Sequence, residues 1–490
     1  MGDLAAATNN QSSLLDMASL LDAVDGSLIG DGFDSTSFCF TSVVTDSRNV
    51  VKDSLFVPLI GTMQDGHKYI PSALEKGASV VFVQKCAFKS DPETFQNYSI
   101  QNPAVAFILV KDCMKALQDA ARAYVEKFPD LIRISVTGSS GKTTTKEILA
   151  SIMKQKYNIV CNKGNLNSET GLPLSCFEIR PEHQMAILEM GMNRKNEIKE
   201  IASVFKPQHA IITNIGRAHI GILKTRKNIA REKKNVFNYI KKDGFAVIPY
   251  ADDFVKFLGR GVKGKKIYYG FDCLGDEVKL LEDRGIFGTD FEVCGKKINI
   301  ALPGKYNFLN ALSCVKLALA LGVDADSIKK GVEEVKALGG RSHIIKGYYT
   351  ILEDCYNANP DSMEKVLELS SGLTGFKNKI FVLGSMLELG TLSEEAHKKA
   401  GQLALQGGAN LIAFVGKDMR AGYDEALKLS CGNENLRLEY FENHDDESIK
   451  HIADLVKSFA GEGDLILLKG SNGIGLSRLV PLLNKEGTGV

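Results

Sequence analysis

Thr137-Gly138-Ser139-Ser140-Gly141-Lys142-Thr143-Thr144 follows directly on the apolar run 131–136 and leads into a segment that carries Ile148, Leu149 and Ile152 on one side. The three parts read as strand, glycine turn and helix. Glycines let consecutive backbone N–H groups turn inward around phosphate oxygens, and the N-terminus of the helix adds positive potential. In such a turn Lys142 reaches the β- and γ-phosphates of a nucleotide and Thr143 offers a hydroxyl to Mg²⁺. The widespread phosphate-loop pattern places four residues between its first Gly and its Gly-Lys pair. Here only Ser139 and Ser140 intervene, so the loop is a shorter variety.

Working outward, the same rhythm of short apolar run, loop and helix-like segment recurs. It gives strands near 185–190, 210–215 and 245–248, and again near 349–352, 380–383, 411–415 and 465–468. Such runs imply an α/β fold whose parallel sheets are covered on both faces, with the chemistry in loops beyond the carboxyl ends of the strands. Glu189 ends one strand and is a candidate to hold Mg²⁺. His219 closes the loop Thr213-Asn214-Ile215-Gly216-Arg217-Ala218-His219, either as a structural histidine or as part of the site. Eight basic residues between Lys224 and Lys242 read first as a solvated helix face, although one lysine among them can point into the site. Asn307 fits an N-cap, while the amide of Asn310 suits the N6/N7 edge of adenine. The polar run Glu353-Asp354-Cys355-Tyr356-Asn357-Ala358-Asn359-Pro360 is too dense for an ordinary turn, and Lys469 stands either in the site or solvated in a crossover loop.

The chain has 490 residues, enough for about three domains. Sixty Lys+Arg against 59 Asp+Glu leave a net charge of +1, which gives no field for a nucleic acid or an anionic membrane. No apolar run approaches the ~20 residues needed to span a bilayer. The first basic residue is Arg48, so no secretory signal is expected. Ten cysteines without a C-x-x-C pair, several in apolar runs (Cys39, Cys176, Cys314), fit free thiols in a reducing cytoplasm. The expected protein is cytoplasmic and, with no coiled-coil stripe, monomeric.

Taken together the motifs resemble the Mur ligases. The resemblance runs from about Thr45 to about Leu479 and includes TGSSGKTTTKE from Thr137, GNLNSETGLP from Gly164, LEMGMNRKNEI from Leu188, TNIGRAH from Thr213, GKYNFLNAL from Gly304, DCYNANPDSM from Asp354 and GSMLELG from Gly384. It implies three domains: a UDP-sugar-binding domain (1–128), a central ATPase domain (129–336) and a Rossmann-like domain (337–490). YNANP points within the family to the ligase that joins D-alanyl-D-alanine to UDP-N-acetylmuramoyl-tripeptide at the expense of ATP. A sister amino-acid ligase and a nucleotide-driven switch are the competing readings.

Carried over by position, the resemblance implies that Gly138, Ser139, Ser140, Gly141, Lys142, Thr143 and Thr144 cradle the phosphates. It further implies that Thr143 and Glu189 hold one Mg²⁺, that His219 belongs with a second, and that Lys233 is the lysine often modified to a carbamate. Asn310 matches an adenine contact, Arg341 a phosphate-facing arginine, and Asp354 a nucleotide contact. Ser47, Arg48, Asp65 and His67 fall in the UDP-sugar segment. Asn165, Asn167 and Glu169 fall in the GNLNSET segment that faces substrate, and Asn357 and Asn359 where the dipeptide is received. Five positions depart from the family pattern: Gly221 replaces a frequent Glu, Tyr250 an Asn, Ser385 an Asp, Asn472 an Arg, and Ser477 a Glu.

Overall fold

A computed structural model describes residues 13–484 apart from Met63, Cys431 and Gly432. The ends of the two terminal domains expected from sequence therefore lie outside the described residues. The chain divides into two compact units, and it passes from one to the other within the strand Ile132–Thr137. One unit comprises Met1–Ile134, Val160–Met192 and Glu197–Pro207; the other comprises Ser135–Ile159, Asn193–Asn196 and Gln208–Val490.

In the first unit a five-stranded sheet runs in the order Ser27–Leu28, Ala106–Val110, Ala78–Gln84, Ser54–Phe56, Ser42–Val44. All its pairs are parallel except that of the edge strand Ser27–Leu28. Val80, Val81, Phe82 and Val83 are all buried, the mark of a central strand covered on both faces. The helix Cys113–Glu126 is capped by Asp112, which accepts the Lys115 N–H at 2.7 Å. It packs against the helices Gly171–Cys176 and Glu197–Phe205. That packing explains why these later segments cluster with the first block of sequence.

In the second unit Lys265–Tyr269, Phe245–Pro249, His209–Ile212 and Ile132–Thr137 are successive neighbours in one sheet. An antiparallel sheet of Val278–Asp283, Thr289–Val293 and Lys296–Ile300 follows. The last sheet has the order His343–Lys346, Thr350–Asp354, Leu465–Lys469, Lys379–Gly384, Leu411–Val415, Arg437–Phe441, parallel except for its first pair. Its core gathers Ile351, Ile380, Val382, Ala413, Ile452 and Leu468.

The apolar runs seen in the sequence become strands within one or two residues of where they were expected, except that the run 210–215 ends as a strand at Ile212. The antiparallel sheet and the strands Lys265–Tyr269, His343–Lys346 and Arg437–Phe441 were missed. These carry charges on a half-exposed face (Lys265, Lys266, Lys296, Lys297), so they contain no apolar run to read. The nine described cysteines are all free; Cys176 and Cys314 are buried and Cys39 is partly exposed.

His209, at the start of its strand, is buried, stacks on Phe245 and accepts the Phe245 N–H at Nδ1, 3.1 Å away. Burial pushes its pKa down from 6.5 to about 4. Above pH 6.5 the ring is neutral folded and unfolded alike; below it the unfolded chain takes up a proton that the folded site refuses. Stability therefore falls as the pH drops from about 6.5 to about 4, by as much as about 3 kcal/mol from this group. His209→Gln should flatten that part of the profile in urea titrations. Far-UV circular dichroism is the readout because the chain has no tryptophan.

Candidate active site

The turn after Thr137 is held by the loop that follows the neighbouring strand His209–Ile212. Thr213 N–H donates to the Thr137 carbonyl at 2.9 Å, Thr213 Oγ1 to the Ser140 carbonyl at 2.6 Å, and Asn214 Nδ2 to the same carbonyl at 3.1 Å. A Cβ on Gly138 would stand 1.7 Å from Thr213 Oγ1, and one on Gly141 would stand 2.7 Å from Asn310 Oδ1. Gly141 also has φ +77°, and it caps the helix Lys142–Met153. Only glycine fits at either place.

The N–H groups of Ser139 and Ser140 donate to the Asn214 carbonyl and to Asn214 Oδ1, and Ser139 Oγ accepts the Gly216 N–H at 2.9 Å. These two serines thus brace the loop from behind, in place of the phosphate contact expected of them. Lys142, Thr143 and Thr144 form the first turn of the helix, whose N–H groups have no acceptor within the helix. They are the natural phosphate donors.

Of the eight basic residues of 224–242, Lys233 is the one that turns inward. It lies on the helix Arg226–Lys234, is 1% exposed, and its Nζ donates to the Gly138 carbonyl at 2.7 Å. Arg226 braces the loop 213–219 by donating to the Ile215 carbonyl. His219 has φ +60°, and its Nδ1 lies 2.7 Å from Glu388 Oε2. Burial, then the nearby Lys142 and Lys233, hold its pKa down at about 4, while Glu388 pulls the other way. The ring is neutral at neutral pH.

Arg217, on the same loop, donates its backbone N–H and its Nε to the carboxylate of Asp361, at 2.5 and 3.1 Å. Neither Asp361 nor Glu388 stood out in the sequence, although the quoted motifs DCYNANPDSM and GSMLELG contain both. Their partners are more than 140 positions distant, so spacing gave no signal.

Asn310 sits against Gly141. Asn307 is not an N-cap: the helix begins at Lys305, and the Asn307 amide reaches back to the Pro303 carbonyl at 2.8 Å. The Arg341 guanidinium lies 3.9 Å from the centroid of Tyr356. Asp354 accepts the Ser342 N–H and pairs with Lys469 at 2.7 Å. Lys469 is therefore a buried ion-pair partner that also holds the Asn357 carbonyl, and not a solvated lysine. Asn359 caps the helix Pro360–Gly372 through a reciprocal pair with Ser362, while Asn357 is exposed.

In the first unit Glu189 is 2% exposed. Its Oε1 accepts from Asn167 Nδ2 at 2.7 Å, and Asn162 brackets its backbone. The Glu169 N–H donates to Glu197, and Asn165 supplies the carbonyl that accepts the Asn167 N–H. Arg48 is exposed and forms a fork with Asp46, holding that carboxyl down at about 2. Ser47 is buried beside it, its carbonyl accepting from Lys76. His67 uses both ring nitrogens within the protein, Nδ1 with Asp65 at 2.6 Å and Nε2 as acceptor of the Gln84 N–H. It shapes this segment and presents no ring nitrogen to a ligand.

Three stretches of the chain match family descriptions: residues 40–125 "Mur ligase family, catalytic domain", 136–318 "Mur ligase middle domain", and 340–472 "Mur ligase, glutamate ligase domain". The UDP-N-acetylmuramoyl-tripeptide--D-alanyl-D-alanine ligase of Treponema pallidum is 37% identical over 96% of this chain and 100% of its own length. Among solved structures, MurF from Acinetobacter baumannii superposes with a TM-score of 0.82 at 28% identity, covering 96% of this chain and 98% of its own. MurF ligase from Thermotoga maritima in complex with ADP gives 0.74 at 25% identity, covering 91% and 97%.

Gly138→Ala forces a methyl group into Thr213. It should weaken ADP binding by about tenfold or more in calorimetry, through strain in the loop, while far-UV circular dichroism stays unchanged. Wild-type affinity in that variant would contradict the geometry.

Proposed function

Since the chain belongs to the Mur ligase family, we propose that it is the ATP-dependent ligase that joins D-alanyl-D-alanine to UDP-N-acetylmuramoyl-tripeptide in peptidoglycan synthesis. What carries the reading is a phosphate loop with Lys142 set beside His219 and Lys233, in a chain that aligns along nearly its whole length with a ligase of that name.

The chemistry explains the parts. A carboxylate does not react with an amine, so its oxygen must first become a leaving group. ATP transfers its γ-phosphoryl group to the terminal carboxylate of the tripeptide. The amine of the dipeptide attacks the acyl phosphate, the amide bond forms and phosphate departs. Nucleotide and carboxylate are both anions and must be brought together against repulsion. Lys142 and the first-turn N–H groups of its helix offset that repulsion and stabilise the transferring phosphoryl group.

Magnesium is assigned to this reaction on the chemistry of the donor groups. Among the described residues no three His, Cys, Asp or Glu side chains converge, and Mg²⁺ characteristically takes one or two protein oxygens and completes its shell with phosphates and water. Thr143 and Glu189 carry such hard oxygens, and His219 is the proposed partner of a second ion. Bound there, magnesium supplies charge neutralisation at the phosphates. Lys233 is the proposed carbamate: its one remaining N–H would keep the bond to Gly138, and the new carboxylate would supply hard oxygens for magnesium. Arg341, Asn310 and Asp354 are assigned to the nucleotide, and Asn357 with the segment around Asn359 to the dipeptide. Ser47, Arg48 and Asp65 are assigned to the UDP-sugar, and Asn165, Asn167 and Glu169 to the substrate side of Glu189. Domain limits near 128 and 336, a monomer, and a cytoplasmic location complete the proposal. No described helix is long and apolar enough to cross a membrane.

Release of ADP and phosphate, measured with each component omitted in turn, tests the reading. It should require Mg-ATP, the UDP-linked tripeptide and D-alanyl-D-alanine together, and should yield the pentapeptide. Release without the dipeptide, or none with any tripeptide, would overturn it.

A further inference from the structure

Two residues in left-handed backbone face each other in the second unit. His219 has φ +60° and Glu388 has φ +64°, a conformation that is costly for residues other than glycine and persists where the surroundings enforce it. The enforcement is visible. Gly221 N–H donates to the Glu388 carbonyl at 3.1 Å, and a Cβ on Gly221 would stand 2.5 Å from that oxygen and 2.8 Å from Gly390 N. A Cβ on Gly390 would in turn stand 3.1 Å from Gly221 Cα. The two backbones touch because both residues lack side chains, and the departure at Gly221 is part of this contact.

The loop that carries Glu388 is fixed from its own side. Met386 N–H donates to His397 Nε2 at 2.9 Å, Leu387 N–H to Ser471 Oγ at 3.0 Å, and Ser471 N–H to the Ser385 carbonyl at 3.2 Å. Met386 and Leu389 are buried on either side of the exposed Glu388. Ser385, the second departure, is buried, and a Cβ on Gly416 would stand 2.6 Å from its hydroxyl. The outcome of these constraints is one directed contact, Glu388 Oε2 on His219 Nδ1 at 2.7 Å, while Nε2 of the ring has no hydrogen-bond partner among the described residues.

We propose that Glu388 is a positioning residue for the ligase reaction: it holds the His219 proton on Nδ1 and so leaves the Nε2 lone pair for the metal, making a metal-ready histidine depend on docking of the 384–390 loop. A metal-bound imidazole must be neutral, and the partner of its other nitrogen decides the tautomer. Here that partner comes from the sheet that carries Asp354 and Lys469, so the loop's arrival and the histidine's readiness are one event. The inference rests on the ligase reading for the identity of the metal.

Imidazole ¹⁵N NMR on histidine-labelled full-length protein tests it, with His219→Gln to assign the signal. The fold supplies its own references. His67 and His397 accept a backbone N–H at Nε2 and are Nδ1–H tautomers; His183 and His209 accept at Nδ1 and are Nε2–H tautomers. Wild-type His219 should fall with His67 and His397. Glu388→Ala should move it out of that class, Glu388→Gln should restore it because the amide oxygen still accepts, and Gly221→Val should mimic Glu388→Ala without touching either side chain. Unchanged His67 and His397 signals control for folding. Mn²⁺ affinity in the presence of ADP, read by electron paramagnetic resonance, should fall about tenfold in Glu388→Ala and less in Glu388→Gln. A wild-type His219 in the Nε2–H class, or one unmoved by Glu388→Ala, overturns the proposal. Absence of pentapeptide formation by a wild type with the stated tautomer would sink the ligase reading alone.

Discussion

Between Gly138 and Thr213 there is no room for one more carbon atom, and the rest of the site follows from that contact. Because the loop lies so close to the next strand end, Thr213 and Asn214 can hold the Ser140 carbonyl while Lys233 holds the Gly138 carbonyl. The carbonyls are drawn back into the protein, and the helix starts at Lys142, where its dipole and first-turn N–H groups suit an anion. The shortness of the loop belongs to the same arrangement. Two serines span the distance, and both use their N–H groups to pin themselves to Asn214.

The same packing concentrates positive charge. Lys142 and the buried Lys233 both bear on His219 and, with burial, keep its ring neutral. A neutral imidazole is what metal ligation requires, and a polyanion arriving at the loop relieves the crowding of cations. Arg217–Asp361 and His219–Glu388 then tie the loop after the neighbouring strand to the last block of the chain. Phosphate site and closing block thus share one short segment, 213–221.

The reading of the sequence succeeded where a local rule applies. The strand, glycine turn and helix around 137–144 and the apolar strands each follow from a few adjacent residues. Helical period placed Lys233 only among eight basic residues, since it does not reveal which lysine meets a carbonyl 95 positions earlier, and the family resemblance alone singled it out. Ser139 and Ser140 were assigned to phosphate on their place in the motif, whereas their N–H groups answer to Asn214. His67, placed in the UDP-sugar segment, and Lys469, left open between the site and a solvated loop, are both buried with protein partners for lone pair or charge. The half-exposed strands escaped for want of an apolar run. For the site residues, what was hidden was a contact between residues distant in the chain.

The central claim is that the first turn of the helix Lys142–Met153, braced by Thr213, Asn214 and Lys233, is a nucleotide phosphate site. A crystal structure of this chain with ADP and magnesium tests it most directly. The β-phosphate is expected on the N–H groups of 142–144 with Lys142 Nζ in contact, and the adenine near Asn310. Phosphates bound elsewhere, with the 137–144 turn and its contacts to Thr213 unchanged, would contradict it.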